Sequence, residues 1–302
     1  MTDHSRPFTP FILLASLSLF WGLNWPGMKI ILSEMTIWWF RASCLIVGGT
    51  ILLSISALSG NRCRLHKNEL LPIMGCGLFA ILGWMVFSAY GVSLMPAGRA
   101  SIIAFTMPLW TTIIAAFVLG EKITPGKVAG LLFGVIGLGV LIGADLLVLQ
   151  QAPIGALFML FAAFSWALGT VLIKRGNWQI PAISNVAWQL LFSSIPILLV
   201  AIATEPLPEI SRFSSQTLVA LVYLFLFPMT FCQWAYFQTV RLLPASVAAI
   251  GTMLVPVIGV YSSHLILNEP VGLTELIALA LIVTALVLVL LLPNIKPFRK
   301  SF

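Results

Sequence analysis

The sequence predicts an all-α integral membrane protein: ten transmembrane helices, arranged as two inverted five-helix repeats, with both termini in the cytoplasm. Three observations carry this. The chain is 60% hydrophobic and only 8% charged, with a mean hydropathy of +1.07. One pattern of prolines and a glutamate occurs twice. The basic residues fall on alternating loops with one strong bias.

Composition decides the solvent. A soluble domain carries about 25% charged residues. This chain has too little polar surface to cover itself, so its surroundings must be lipid. The net charge of +7 comes from 16 basic and 9 acidic residues scattered over short loops. Such scatter reads as orientation signals and not as a nucleic-acid stripe. Cys44, Cys63, Cys76 and Cys232 form no CxxC pair, so neither a disulfide nor a metal site is expected. The first apolar segment lacks a small-residue cleavage site at the right place and reads as a retained helix.

A spanning helix needs about 20 apolar residues to cross about 30 Å of hydrocarbon. Ten windows qualify: 10–31, 36–58, 70–92, 96–119, 124–144, 153–174, 182–203, 217–239, 244–267 and 272–292. With both termini cytoplasmic, 12 basic residues lie inside: Arg6, Arg62, Arg64, Lys67, Lys122, Lys127, Lys174, Arg175, Arg241, Lys296, Arg299 and Lys300. Only 3 lie outside: Lys29, Arg99 and Arg212. This is the positive-inside pattern.

The repeat aligns residues 96–121 with 244–269 at an offset of 148, matching Pro96 to Pro244, Pro108 to Pro256 and Glu121 to Glu269. At an offset of 145, Trp21 through Lys29 aligns with Trp166 through Lys174. Five spans per copy is odd, so the two copies point in opposite directions across the membrane. The predicted units are 1–147 and 148–302.

These residues resemble the drug/metabolite transporter superfamily, in its ten-helix members with two EamA-type domains. The likeness rests on FWGLNWPGMK at 20–29, Arg41 inside the second span, the Pro96–Pro108–Gly120–Glu121 segment, and Gly130 with Gly137. The second half departs at Asn268, Ala278, Ala285 and Gln189, which stand where Gly120, Gly130, Gly137 and Arg41 do. Within the superfamily the chain is most similar to the bacterial YddG-type amino-acid exporters. The resemblance implies a multi-pass protein of the bacterial inner membrane that exports small metabolites by alternating access.

The acidic residues are all expected outside the middle of a span: Asp3, Glu34, Glu69, Glu121, Asp145, Glu205, Glu209, Glu269 and Glu275. A proton-coupled carrier needs a group that binds and releases a proton within the membrane. Weak or absent ion coupling is therefore expected; the alternative is a proton-coupled multidrug or metabolite antiporter of the same superfamily. An intramembrane enzyme is disfavoured, because paired membrane Asp residues and His clusters are missing. No cofactor and no metal are expected.

The candidate cavity residues are Trp21, Asn24, Tyr90, Trp110, Trp166, Trp188, Gln189 and Trp234, aromatic or amide groups deep in spans. Such groups either bind helices together or line a polar cavity for neutral or zwitterionic metabolites, amino acids included. Arg41 is the one charge well inside a span. It either snorkels outward as a structural charge or binds a carboxylate. Lys29 and Lys174 read as interface anchors. Pro108 and Pro256 read as static bends or as paired hinges. Gly126, Gly130 and Gly134 predict close packing of the fifth helix on the tenth. A monomer is expected, with a homodimer open. The partners are a small-molecule substrate and membrane lipid, not nucleic acid.

Overall fold

The computed structural model describes residues 9–143, 153–252 and 254–291. The terminal arms, the junction at 147/148, Asp3 and Asp145 lie outside the described residues. The described chain is helical throughout: α1 (Thr9–Glu34), α2 (Ile37–Leu58), α3 (Lys67–Leu94), α4 (Ala97–Leu119), α5 (Pro125–Gly143), α6 (Pro153–Arg175), α7 (Ala182–Thr204), α8 (Ser215–Leu242), α9 (Ala245–Gly251 then Leu254–Leu267) and α10 (Leu273–Leu291). Among the described residues, eight helices, α1–α4 and α6–α9, are long and apolar enough to cross a membrane. The helices α5 and α10 have 19 residues each.

Contacts between helices come in matched sets. The second helix lies along the seventh, and the fifth along the tenth. The first helix packs on α8 and α9, just as α6 packs on α3 and α4. The two broken helices α4 and α9 also meet, the first piece of each against the second piece of the other. Small residues set several of these distances. A Cβ on Gly22 would collide with Ile258, and one on Gly169 with the backbone of Ala80. Gly126, Gly130, Gly134 and Gly137 are buried, and Gly134 sits under Leu109 of α4.

Four helices are irregular, again in matched pairs. α3 widens to a π segment at Gly77–Gly83 and α8 at Phe227–Cys232. Pro228 has no N–H to give to the helical ladder, which forces the α8 shift. Carbonyls near these widened turns find hydroxyls: Ser165 donates to Phe79 O at 2.8 Å, Ser193 to Gly77 O at 3.0 Å and Thr230 to Phe225 O at 2.7 Å. In lipid, backbone groups freed from the ladder must be satisfied inside the protein.

The sequence suggested Pro108 and Pro256 as bends in continuous spans; the structure breaks both helices outright. Each proline falls in the first turn of a second piece, Met107–Leu119 and Leu254–Leu267. There its missing N–H costs no bond. At the breaks, the Thr106 and Thr252 hydroxyls donate back to Ile103 O (2.9 Å) and Ala249 O (2.7 Å).

The repeated glutamate has a structural reason. Glu121, just after α4, accepts the Ala245 N–H at 3.0 Å and the Ser246 hydroxyl, so it caps the start of α9. Glu269, just after α9, accepts the Ala97 and Gly98 N–H groups at 2.9 and 3.0 Å, so it caps the start of α4. The first N–H groups of a helix have no internal partner and carry partial positive charge, so a carboxylate fits there. The turn that delivers each glutamate needs a left-handed residue: Gly120 at φ 66° and Asn268 at φ 55°. Asn tolerates this conformation better than other non-glycine residues.

The lysine pair is equally reciprocal. Lys29 donates to Val92 O and Met95 O at 2.9 and 3.0 Å, closing the C-terminus of α3. Lys174 donates to Leu243 O and Arg241 O at 2.9 and 3.2 Å, closing that of α8. Cations suit that end of a helix.

Gly169→Ala drives a methyl into the Ala80 backbone and should cost about 1–3 kcal/mol, read as a lower melting temperature in detergent. Gly75→Ala, with no atom within 4 Å of the new Cβ, should leave it unchanged.

The Glu121 cap predicts an acid sensitivity. Burial pushes the Glu121 carboxyl up. The Ser246 hydroxyl, the Lys127 ammonium at 3.2 Å and the Ala245 N–H outweigh this and hold it below its ordinary value of 4.5. A depressed carboxylate stabilises the fold fully above its unfolded value and loses that contribution as pH falls through the folded one. Thermal stability should decline below about pH 4.5. Glu121→Gln and Glu269→Gln should each remove about 0.5–2 kcal/mol of cap stability at neutral pH. In Glu121→Gln the acid-dependent part should shrink.

Candidate functional site

The irregular turns surround the centre of the helix assembly. Helical spacing puts Trp21 and Trp25 of α1 on one face, with Asn24 between them. Immediately beyond its π segment, α3 presents Trp84 and Met85, and α8 likewise presents Gln233 and Tyr236. From α6 come Trp166 and Thr170. The breaks add Phe105 and Met107 from α4 and Val255 from α9.

Aromatic rings fill most of the middle. Trp166 meets Trp84, Trp21 and Tyr236 at centroid distances of 5.1, 5.5 and 5.1 Å. Trp21 lies 5.4 Å from Tyr236, and Trp25 meets Trp84 edge-on at 6.5 Å. The Tyr236 hydroxyl is 3.0 Å from Thr170 Oγ1.

Trp166 and Gln233 border two spaces at once. One has a free volume of about 30 Å³ and is lined by Trp21, Asn24, Trp25, Arg41, Trp84 and three methionines among others. The other, about 10 Å³, is lined by Gln189, Thr170 and Tyr236 with apolar neighbours. A water molecule needs about 10–15 Å³ of such volume. The first space thus has room for one or two waters and the second for at most one. A metabolite fits only after side chains withdraw. Met85, Met107 and Met229 are suited to that, being unbranched and flexible.

The repeat pairs Arg41 with Gln189, and each lines its own half of this centre. The chemistry differs between halves. Gln189 Nε2 donates to Asn185 Oδ1 at 2.7 Å, one turn back on α7. Arg41 is 1% exposed, so it does not snorkel. The stem points inward because Phe40 and Met28, both fully buried, enclose it. Its Nη2 donates to Ser88 Oγ at 2.9 Å and approaches Met28 Sδ at 3.3 Å, while the guanidinium lies 4.6 Å from the Phe40 ring centre. Its Nε is buried with no hydrogen-bond partner, as is Asn24 Oδ1.

Of the eight cavity candidates, Trp21, Asn24, Trp166 and Gln189 meet at this centre. The other four do not line it. Tyr90 stacks on Phe158 at 5.3 Å and edges onto Trp38 at 6.1 Å. Trp110 edges onto Phe164 at 5.7 Å. Trp188 stacks on Phe192 at 5.3 Å and donates from Nε1 to Cys63 O at 2.8 Å, tying α7 to the loop before α3. Trp234 lies against Phe231 at 6.1 Å. Helical phase explains two of them. Trp188 and Trp234 adjoin Gln189 and Gln233 in sequence, so each points about 100° away from its inward neighbour. Met107, Met229 and Val255 carried no polar signal. Their one cue was a position beside Pro108, Pro228 and Pro256.

The seven described carboxylates are all engaged near helix ends. Besides Glu121 and Glu269, Glu34 accepts from Ser214 N at 2.8 Å and Glu205 from Trp39 N at 3.2 Å. Glu69 pairs with Arg62 at 2.6 Å, Glu209 with Arg212 at 2.6 Å and Glu275 with Arg99 at 3.2 Å. None lines either central space.

Known proteins share both the fold and the sequence. A solved crystal structure superposes with a TM-score of 0.75 at 20% identity, covering 96% of this chain and 98% of that one. The uncharacterized transporter YvbV of Bacillus subtilis (strain 168) is 33% identical over 282 residues, 92% of this chain and 90% of its own. The uncharacterized transporter YoaV of the same organism is 27% identical over 270 residues, 89% and 92% of the two chains. A protein of Salmonella typhimurium named probable amino-acid metabolite efflux pump is 28% identical over 281 residues, 88% and 89%. The sequence profile of the EamA-like transporter family matches twice, over residues 9–143 and 153–291. This chain of apolar helices around a small aromatic centre belongs to the EamA-like transporter family.

Proposed function

We propose that this transporter exports small neutral or zwitterionic metabolites, amino acids foremost, across a bacterial inner membrane. The mechanism is alternating access with weak or no ion coupling. The observation that carries the reading is the aromatic centre, whose polar groups are Asn24, Gln233, Gln189, Arg41 and hydroxyls, with no described carboxylate among them. Apolar area with a few fixed hydrogen-bonding groups suits small organic solutes. Proton coupling would want a titrating group there. The relative named an amino-acid metabolite efflux pump supports the substrate class.

The same reading takes the chain as ten spans in two inverted repeats, 1–147 and 148–302, with cytoplasmic termini. The matched contacts, the reciprocal caps and the twofold profile match support the duplication. The loop charges support the direction. Both repeats lie on one chain, so a monomer can carry the cycle. Access alternates as the second pieces of α4 and α9 swing about the breaks before Pro108 and Pro256, withdrawing Met107 from one side and Val255 from the other.

Counterflow in proteoliposomes, screening amino acids and other metabolites, tests this. At least one amino acid should exchange, and an imposed proton gradient should not concentrate it. Trp21→Ala and Trp166→Ala should change which solutes exchange while expression holds. Tyr90→Ala, on the periphery, should leave the choice unaltered. A protein that exchanges no amino acid removes the substrate class; gradient-driven accumulation removes the uncoupled mechanism.

A further inference from the structure

The centre holds a cation with no counter-charge among the described residues. Arg41 is 1% exposed, yet its described partners are a serine hydroxyl, a thioether and a phenyl ring. Its Nε has none. Every described carboxylate is committed near a helix end, as set out above. A buried ion with no opposite charge is costly, and it persists in a membrane protein when something completes it. A guanidinium presents parallel N–H groups that fit a carboxylate in a two-bond fork. The free volume beside Arg41 is bounded on its other sides by Trp21, Trp25, Trp84 and Asn24.

We propose that Arg41 is the anchor for a substrate carboxylate, and that the carboxylate, not the ammonium, is the group this transporter recognises. The proposal rests on the transport reading above; it keeps the zwitterionic amino acids, drops neutral solutes without a carboxylate, and adds monocarboxylate anions with an apolar or aromatic remainder. Amino acids qualify through their carboxylate, and so do the corresponding acids without an amine. Asn24 Oδ1, the unpartnered acceptor at the same space, can take an ammonium or hydroxyl N–H or O–H but offers no charge to hold it. The bond is made in one half only, because Gln189 replaces the guanidinium in the other. A solute passing from one half to the other thus exchanges a charged hydrogen bond for neutral ones.

Side-chain-matched quartets test this on the full-length protein in detergent, with binding read by tryptophan fluorescence and by thermal shift. One quartet is leucine, 4-methylpentanoate, isopentylamine and leucinamide. The other is phenylalanine, 3-phenylpropionate, phenethylamine and phenylalaninamide. The zwitterion and the bare acid should bind at least about tenfold more tightly than the amine and the amide, the range of a charge-assisted pair. Arg41→Gln should erase that preference, and Arg41→Lys should keep part of it. Should Arg41→Gln fail to fold, the wild-type quartets and Arg41→Lys decide. A wild-type preference below tenfold, or a full preference surviving in Arg41→Gln, overturns the anchor. If the counterflow panel carries amines or uncharged solutes as well as acids, the carboxylate inference falls alone. If it carries nothing, the transport reading falls and takes this one with it.

Discussion

Two carboxylates tie the halves of this protein together. Glu121 follows the fourth helix and closes the start of the ninth; Glu269 follows the ninth and closes the start of the fourth. The helices they cap are the two that break near their middles. A broken helix has twice the usual number of exposed backbone ends, and in lipid each end needs a partner from the protein. The cross-caps secure the outer N-terminal ends, and a threonine hydroxyl takes up one carbonyl at each break.

The same constraint shapes the site. The third and eighth helices widen by one turn of π structure, and the side chains just beyond are the ones that reach the centre: Trp84 and Met85, Gln233 and Tyr236. Serines from neighbouring helices take up carbonyls near the widened turn of the third helix, and Thr230 of the eighth takes up one near its own. Irregular backbone is tolerated at membrane depth where it borders a protected space, and all four irregular helices border this one. The methionines and tryptophans there leave room for only a few waters, so a solute must displace side chains and does not meet a ready-made pocket.

Symmetry accounts for the frame and asymmetry for the chemistry. Caps, lysines, breaks and π segments recur in both halves. The paired positions Arg41 and Gln189 do not match, and that mismatch places a central guanidinium in one half and an amide in the other. Lys127 and Glu275 are a second such mismatch, opposite charges at equivalent positions, each absorbed into a different ion pair at a helix end.

Much of this was legible in the residues. The apolar runs located the helices, because a chain with so few charges has no other solvent. The Pro–Pro–Glu repeat pointed to the recurring caps and breaks, since both need those residue types wherever they recur. Trp21, Asn24, Trp166 and Gln189 were identifiable as deep polar or aromatic groups. Tyr90, Trp110, Trp188 and Trp234 had the same credentials but turn elsewhere. Residue type shows that a tryptophan wants a partner; only helix phase and packing show whether it finds a neighbouring helix or an open centre. Met107, Met229 and Val255 show the converse, ordinary apolar residues that reach the site because a proline beside each redirects the backbone. Arg41 is the sharpest case. Its sequence allowed a side chain reaching for water or one turned inward, since one long flexible stem serves both. What settled the direction was the fully buried shell of Phe40, Met28 and Ser88 around it, which is assembled from three helices and exists only once they pack.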